Sequence, residues 1–335
     1  MSTDRDGWLA LGREAALDPD LPICDPHHHL FDNAQYTYLL EHVLQDTGCG
    51  HNVVRTVFVE CSSKYRTDGP EALRPVGETT FVEDTVAPLA GGPPDIAAGI
   101  VGFADLTLGA GVAPVIEAHL AASPDRFRGI RHPAAWDASP EIGAYKSPPR
   151  GLLLDARFRE GVACLGRYGL SFEASLYHPQ LSELVDLAQS YPDVPIILNH
   201  TGVPLGIGPY AGQREAVFQV WKVGIAQVAA CPNVAVKLGG LSMACCGMGW
   251  HEQARPPSSA EMAEAMAPYL LWCIEQFGVD RCMFESNFPV DRIASLYCVL
   301  WNAFKRVVSD LAPGERAALF HDTAARVYRL ADHAP

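Results

Sequence analysis

Short apolar runs recur along the chain, and each of them ends in polar residues. Eight runs are rich enough in apolar and β-branched residues to predict β-strands. They are ICDPHHHL from residue 23, VRTVFVEC from 54, AAGIVGFAD from 97, FRGIRH from 127, LSFEAS from 170, PIILNH from 195, NVAVKLGG from 233 and RCMFESN from 281. Because these runs are apolar over nearly their whole length, they are typical of parallel strands that are covered on both faces.

Segments with helical periodicity lie between most of the predicted strands. They cover 111–122, 179–190, 214–230 and 258–278, and a last one covers 315–330. This alternation, with eight strands, predicts an α/β fold of the (β/α)8 TIM-barrel type. A doubly wound open sheet is the alternative, but it usually has a glycine-rich phosphate loop after its first strand, where this chain has HHHLFD.

The pattern predicts a single barrel domain over residues 21–335, preceded by an N-terminal extension over residues 1–20. Four insertions, at about 31–52, 62–80, 133–155 and 241–258, are rich in Gly, Pro, aromatic and polar residues and are predicted to be active-site loops. Aromatic residues of the loops predict a pocket with apolar walls, unless they pack the loops themselves. They are Phe31, Tyr36, Tyr38, Tyr65, Trp136, Tyr145, Tyr177 and Trp250.

Charge and composition narrow the class of protein. The chain has 335 residues, of which 48% are hydrophobic, and a formal net charge of -14. The negative charge argues against a nucleic acid or an anionic membrane as partner. No signal peptide is apparent, no segment approaches the roughly 18 apolar residues of a membrane span, and the ten cysteines contain no C-x-x-C pair. We therefore expect a cytoplasmic enzyme with reduced thiols and a small-molecule substrate, alone or as a homo-oligomer.

Polar residues collect at the predicted strand ends, where the loops of a parallel barrel surround one pocket. They are His27 to His29, Glu60, Asp105, Arg131, His132, Glu173, His200, Lys237, Glu285 and Asn287. Because side chains alternate along a strand, His27 and His29 point to the same face. Such a pair is typical of the binding of one divalent ion. The alternative is that the two histidines bind an anionic substrate or hydrogen-bond each other.

The other strand ends offer further candidates. His200 and Glu173 are predicted ligands of the same ion, although Glu173 could equally act as a base or pair with a cation. Arg131, His132 and Lys237 are predicted to bind a carboxylate or carbonyl oxygen of the substrate, with a salt bridge across the barrel as the alternative. Tyr177 and His178, which follow the fifth strand, are predicted to contact the substrate as well.

The eighth strand and the loop after it hold the candidate proton acceptors. Glu285 and Asn287 share one face, and Asp291 follows within one turn. Either carboxylate can act as a general base, whereas an asparagine cannot. The predicted catalytic residues are therefore Glu285, Asp291, Asn287 and His200.

Five motifs in this order, DPHHHLFD, RGIRH, LNHTG, VKLGGL and FESNFPVD, resemble those of the amidohydrolase superfamily. The similarity is to its amidohydrolase-related branch (amidohydrolase family 2), which includes L-fuconolactonases and 2-pyrone-4,6-dicarboxylate lactonases. The resemblance implies a (β/α)8 barrel, with His27 and His29 as the first-strand pair and His200 as the sixth-strand histidine. The eighth-strand aspartate that accepts a proton in this family corresponds to Asn287, and Glu173 stands where many members have a histidine.

The resulting hypothesis is hydrolysis of a small cyclic ester, or a related carbonyl compound, by attack of water. His27, His29, His200 and Glu173 would hold a divalent ion, zinc or manganese, or the histidines would bind the substrate itself. Glu285 or Asp291 would replace the missing base, and a carboxylate on the substrate would meet Arg131 and Lys237. An isomerase or decarboxylase on the same barrel is the first alternative, and Asn287 favours it. A catalytically inactive barrel that binds a ligand is the second.

Overall fold

The computed structural model describes residues 3–33, 36–89, 92–143 and 146–330. Eight parallel strands follow one another in chain order around one sheet, which confirms the predicted TIM barrel. They are β1 (Pro22–His28), β2 (Asn52–Val59), β3 (Asp95–Gly102), β4 (Phe127–Arg131), β5 (Ser171–Ala174), β6 (Ile196–Leu198), β7 (Val234–Leu238) and β8 (Cys282–Phe284).

Helices cover the outside of the sheet, as the alternation predicts. They are α1 (Thr3–Ala10), α2 (Leu40–Thr47), α3 (Val76–Val86), α4 (Ala113–Ala122), α5 (Ala156–Arg167), α6 (Leu181–Ser190), α7 (Arg214–Ala229), α8 (Ser259–Phe277), α9 (Tyr297–Val307), α10 (Pro313–Ala317) and α11 (Thr323–Val327). A π-helical turn, Ala318–Asp322, joins the last two, so the predicted final helix is interrupted. None of the helices in the described ranges is long and apolar enough to cross a membrane.

The first and last strands meet at a seam that we define by Asp25, His28, Ser286 and Phe288. Within the described ranges a single bridge between His28 and Phe288 joins them, and the backbone N–H of His29 donates to the Phe288 carbonyl at 2.9 Å. The Asp25 carboxylate spans the seam, since it accepts from the Ser286 N–H at 3.0 Å. The barrel is therefore nearly closed. At the seam, hydrogen bonds from side chains stand in for part of the backbone pairing between the first and last strands.

The barrel interior is a packed core. Alternate strand residues fill it, and the C-terminal segment adds to it; the cluster contains Cys24, Val57, Val59, Ala98, Val101, Ile197, Ala235, Met283, Ala324, Tyr328 and Leu330. Arg326 and Arg329 lie beside Pro195 and Asn233, at the starts of β6 and β7. The C-terminal segment thus closes the N-terminal side of the barrel and leaves the opposite side for a site.

The predicted insertions hold structure of their own. The first contains a two-stranded hairpin, Phe31–Asp32 with Thr37–Tyr38, followed by α2. The segment before β1 contains α1, whose Arg5 donates to the Ile293 carbonyl at 2.6 Å and whose Trp8 donates to the Gln253 carbonyl at 2.8 Å. Tyr145 lies outside the described residues.

Candidate active site

Two histidines and a glutamate from distant parts of the chain converge at the C-terminal side of the barrel. Oε2 of Glu285 lies 2.7 Å from Nδ1 of His27, and Oε1 lies 2.7 Å from Nδ1 of His200. The two imidazole centroids are 4.6 Å apart. The three residues are buried and each offers one ligand atom within 4.8 Å of the others, which no other group of three in the described ranges does. We call them the His–Glu–His cluster.

Two glycines at the end of β7 make room for this cluster. A Cβ atom on Gly239 would lie 2.4 Å from Cγ of Glu285, and one on Gly240 would lie 2.4 Å from Cβ of His200. Gly240 also has φ +69°, a conformation that costs other residues energy. The Gly-Gly pair of the NVAVKLGG segment is therefore required by the close approach of His200 and Glu285.

The backbone after β6 is left-handed over four consecutive residues. The φ angles are +53° at His200, +52° at Thr201, +70° at Gly202 and +39° at Val203. A β-branched residue such as Val203 rarely adopts this region, and such strain concentrates at functional sites. Hydrogen bonds compensate for it, since the His200 N–H donates to Oε1 of Glu285 at 3.0 Å.

Both ring nitrogens of His27 have a donor group nearby, and Nδ1 also lies 2.7 Å from Oε2 of Glu285. Nη1 of Arg131 lies 3.2 Å from Nε2, and Nζ of Lys237 lies 3.2 Å from Nδ1. A neutral imidazole has one acceptor nitrogen, so only one of these contacts is a hydrogen bond. Burial, followed by the charge of Lys237, lowers the pKa of His27 well below its usual range. The ring is therefore neutral.

His29 presents a lone pair to the cavity. Its Nδ1 lies 2.8 Å from the Val59 carbonyl oxygen, which can only accept, so Nδ1 carries the ring proton. Nε2 is then unprotonated and lies 3.4 Å from Oδ1 of Asn287. Burial, followed by the charge of Arg131, lowers the pKa of His29 well below its usual range. His29 is thus a neutral acceptor, 4.9 Å from His27 between ring centroids.

Asn287 and Asp291 form a buried pair beside His29. Nδ2 of Asn287 donates to Oδ1 of Asp291 at 3.0 Å, and Asn287 has φ +54°. Burial raises the pKa of Asp291 well above its usual range, and the nearby charge of Glu285 adds to the rise. Asp291 therefore holds the amide of Asn287 in a fixed orientation.

Arg131 is held by a carboxylate that the sequence did not single out as a site residue. Its Nε donates to Oε1 of Glu60 at 2.9 Å, and its Nη2 donates to the Glu60 carbonyl. Nζ of Lys146, from the loop after β4, donates to Oε2 of Glu60 at 3.0 Å. Two cations therefore share the one buried carboxylate of Glu60.

Lys237 and Glu173 lie on the far side of His27. Nζ of Lys237 is 2.9 Å from Oε2 of Glu173, and both side chains are fully buried. Asn199 donates to the same Oε2 and Tyr328 donates to Oε1. These three partners, from β7, from the residue after β6 and from the C-terminal segment, occupy both oxygens of Glu173.

A cavity of about 300 Å³ opens above the His–Glu–His cluster. Its lining residues are His29, Phe31, Cys61, Arg131, Ala135, Ser175, Leu176, Tyr177, His200, Val203, Met243, Cys245, Asn287 and Val290. Five predicted site residues, His29, Arg131, Tyr177, His200 and Asn287, thus share one cavity. The cavity is not lined by five other predicted residues, His27, Glu285, Asp291, Lys237 and Glu173. Two of these contact residues that do line it: Glu285 contacts His200, and His27 contacts Arg131.

Two predicted substrate-binding residues lie away from this cavity. Nδ1 of His132 accepts from the Leu106 N–H at 3.2 Å, and its ring lines a different cavity with Lys146. Nδ1 of His178 accepts from the Leu205 N–H at 3.2 Å. Both rings stabilise loop backbone, so their assignment to the substrate stays a prediction without a contact at the cavity.

The predicted ion would fit the His–Glu–His cluster. Oε2 of Glu285 is buried, and within the described ranges its contact with Nδ1 of His27, at 2.7 Å, lacks the alignment of a hydrogen bond. Imidazole nitrogen and carboxylate oxygen are ordinary ligands of zinc. Glu173, the fourth predicted ligand, is outside this group because its oxygens bind Lys237, Asn199 and Tyr328. His29 is outside it as well, with its Nε2 towards Asn287.

The chain matches a family model and is similar to known proteins and to a solved structure. The family model described as amidohydrolase matches residues 24–330. An uncharacterized protein, y4mH, of Sinorhizobium fredii is 35% identical over 333 residues, which covers 93% of this chain and 99% of that protein. An L-fucono-1,5-lactonase of Burkholderia ambifaria is 27% identical over 283 residues, which covers 79% of this chain and 87% of that protein. A crystal structure of an amidohydrolase from Burkholderia multivorans with bound zinc has a TM-score of 0.72 at 23% identity, covering 92% of this chain and 99% of that one.

Proposed function

The chain belongs to the amidohydrolase family, and from that premise we propose that it hydrolyses a small cyclic ester in the cavity above the His–Glu–His cluster. The observation that carries the proposal is the convergence of His27, His200 and Glu285 beneath one cavity. His200 lines this cavity, together with His29 and Arg131. The 27% identity to a protein named L-fucono-1,5-lactonase supports a lactone as the substrate.

In this proposal His27, His200 and Glu285 hold a divalent ion, zinc or manganese. When bound, the ion would polarise the ester carbonyl and make water more acidic. Glu285 is suited to hold it because its carboxylate supplies the negative charge that Asn287 cannot. Lys237 and Arg131 lie against the two ring nitrogens of His27, at 3.2 Å each, and one of the two donates a hydrogen bond to the neutral ring.

The proton of the attacking water goes to Nε2 of His29. That nitrogen is unprotonated, because Nδ1 donates to Val59, and it lies at the cavity. The water oxygen bonds to the carbonyl carbon, the ring C–O bond breaks, and the ring oxygen leaves as a hydroxyl after taking the proton back from Nε2 of His29. The product is an open-chain hydroxy acid. Asp291 acts through Asn287, because it lies behind the amide and not in the cavity.

Acid release from δ-lactones in weakly buffered solution tests the proposal. Protein loaded with zinc or manganese is expected to release one acid group for each lactone ring opened, and Glu285→Gln is expected to release none above background. Equal rates for the two proteins would contradict the assignment of the site.

A second candidate function is a non-hydrolytic reaction, an isomerisation or a decarboxylation, and Asn287 favours it because the family's anionic base is absent there. The two reactions differ in whether water enters the product. Turnover in water labelled with oxygen-18 separates them, since the label appears in the acid only if water attacks the carbonyl. An unlabelled product would favour the second candidate.

A further inference from the structure

The polar groups of the cavity lie at the strand ends, and its walls are apolar. His29, Arg131, Ser175, His200 and Asn287 provide the polar floor, and the thiols of Cys61 and Cys245 also line the cavity. Phe31, Leu176, Tyr177, Val203, Met243 and Val290 provide most of the wall. A molecule that fills this cavity therefore meets polar partners on one side and hydrocarbon on the others.

The one cation that lines the cavity already has a carboxylate partner. Arg131 is the only lysine or arginine among the described residues that line the cavity, and its guanidinium is paired with Glu60 at 2.9 Å. Lys237 does not line the cavity and is paired with Glu173 at 2.9 Å. Glu60 is shared with Lys146, but a carboxylate on the substrate would still have to displace Glu60 from Arg131. An anion therefore gains less here than it would from an unpaired cation.

The walls are equally unsuited to a sugar ring. Each hydroxyl that enters without a partner costs about 1–3 kcal/mol of binding free energy. Leu176 and Val203 offer no hydrogen-bonding group, and the hydroxyl of Tyr177 already donates to the Gly143 carbonyl at 3.1 Å. Ser175 adds one hydroxyl to the lining, so most of the hydroxyls around a sugar ring would be left unpaired.

We propose that the cyclic ester is uncharged and mostly hydrocarbon outside its ester group, such as an aryl-fused or alkyl-substituted δ-lactone. The proposal rests on the proposed function, since it names the substrate class of the same site. The volume of about 300 Å³ is at the lower end for ligand pockets and suits a molecule of one or two rings. The ester lies on the polar floor and the hydrocarbon contacts the wall.

Three δ-lactones of similar ring size test this with protein loaded with zinc or manganese. They are dihydrocoumarin, which is apolar and neutral, L-fucono-1,5-lactone, which is neutral and hydroxylated, and 2-pyrone-4,6-dicarboxylate, which is anionic. We expect kcat/KM for dihydrocoumarin to exceed the other two values by about 100-fold. A preference for the sugar lactone or the dicarboxylate overturns the substrate class but leaves the proposed function intact. Hydrolysis of none of the three contradicts the proposed function itself.

A substitution in the wall provides a second readout. Met243→Gln keeps the length of the side chain and adds an amide to the wall, whereas Met248→Gln makes the same change in the same loop outside the cavity lining. We expect Met243→Gln to lower kcat/KM for dihydrocoumarin about tenfold without lowering it for L-fucono-1,5-lactone. Met248→Gln is expected to change neither value. An equal effect of Met243→Gln on both lactones would overturn the proposal.

Discussion

The ammonium of Lys237 and the carboxylate of Glu173 form an ion pair at 2.9 Å with no exposed surface on either side chain. The pair lies next to the His–Glu–His cluster, because the same Nζ is 3.2 Å from Nδ1 of His27. Two opposite charges in the barrel interior are tolerated only together, since an unpaired buried charge costs several kcal/mol.

Removal of one member should therefore destabilise the protein more than removal of both. Lys237→Met leaves the Glu173 charge buried and is expected to lower the free energy of unfolding by about 3–5 kcal/mol. The double variant Lys237→Met/Glu173→Gln is expected to recover most of that loss. Urea unfolding followed by circular dichroism measures both, and a double variant no more stable than the single one would contradict the pairing.

Glu285→Gln should abolish ion binding. The change removes the only carboxylate of the His–Glu–His cluster, so we expect the native protein to retain about one zinc ion per chain and the variant almost none. Elemental analysis after gel filtration measures the content, and zinc should raise Tm only for the native protein. Glu252→Gln, an exposed glutamate 3.7 Å from His251, is the matched control and should behave as native.

His29→Gln should separate ion binding from turnover. His29 is not one of the three cluster residues. The zinc content of the His29→Gln variant is therefore expected to match that of the native protein. Because the variant lacks the unprotonated Nε2 that accepts the proton, we expect kcat to fall by about 100-fold or more. Parallel zinc analysis and lactone assays check this, and loss of zinc in the variant would instead make His29 a ligand.

The free energy of unfolding should depend on whether the 287–291 pair keeps one hydrogen-bond donor and one acceptor, and less on which of the two residues supplies each. Asn287→Asp places two carboxyl groups 3.0 Å apart in a buried site, and we expect a loss of about 2 kcal/mol in the free energy of unfolding at neutral pH. The exchanged double variant Asn287→Asp/Asp291→Asn restores one donor and one acceptor and should recover stability. Urea unfolding of the native protein, Asn287→Asp and the double variant measures this. A double variant less stable than Asn287→Asp would contradict the contact.

Glu78 should make stability fall as pH rises. Its Oε1 accepts from the N–H groups of Cys61 at 3.0 Å and Ser63 at 2.7 Å, while Oε2 is buried and unbonded within the described ranges. Burial first, then the charge of Glu60, raises the pKa of Glu78 from 4.5 to about 8, and Lys146 opposes the rise. The folded protein thus keeps a proton that the unfolded chain releases, so this stabilisation is present below pH 4.5 and lost as pH approaches about 8.

Glu78→Gln is the test of that titration. The amide keeps the acceptor oxygen and cannot ionise, so the variant should match the native protein near pH 5 and exceed it by about 2 kcal/mol at pH 8. Urea unfolding at several pH values measures the difference. Glu71→Gln, an exposed residue in the same insertion, should show no such dependence, and parallel pH profiles for the native protein and Glu78→Gln would refute the assignment.

The barrel could be predicted because its signal is local. Each strand is a short apolar run and the helices between them carry their own periodicity, so the eight strands of the sheet follow from the order of segments along the chain. The shapes inside the insertions, such as α2 and the hairpin before it, could not be predicted in the same way. They depend on contacts with distant elements, for example the packing of α2 against α9.

The sequence predicted which polar residues stand at the strand ends of the candidate site. It did not predict which of these residues contact one another. Glu173 and Glu285 both end apolar strands, and nothing local distinguishes them. What separates them is Tyr328, which lies 155 residues after Glu173 and occupies one of its oxygens. The supporting role of Glu60 was missed for a similar reason, although its position after β2 is a signal, because its partners Arg131 and Lys146 lie 71 and 86 residues away.

The seam between the first and last strands has a consequence for the order of events during synthesis. His27 comes from β1 and Glu285 follows β8, and Asp25 joins the two sides by accepting from Ser286. A nascent chain that ends before Glu285 holds His27 and His200 but lacks the only carboxylate of the His–Glu–His cluster. We therefore expect the cluster to be completed late in synthesis, once the eighth strand has reached the first.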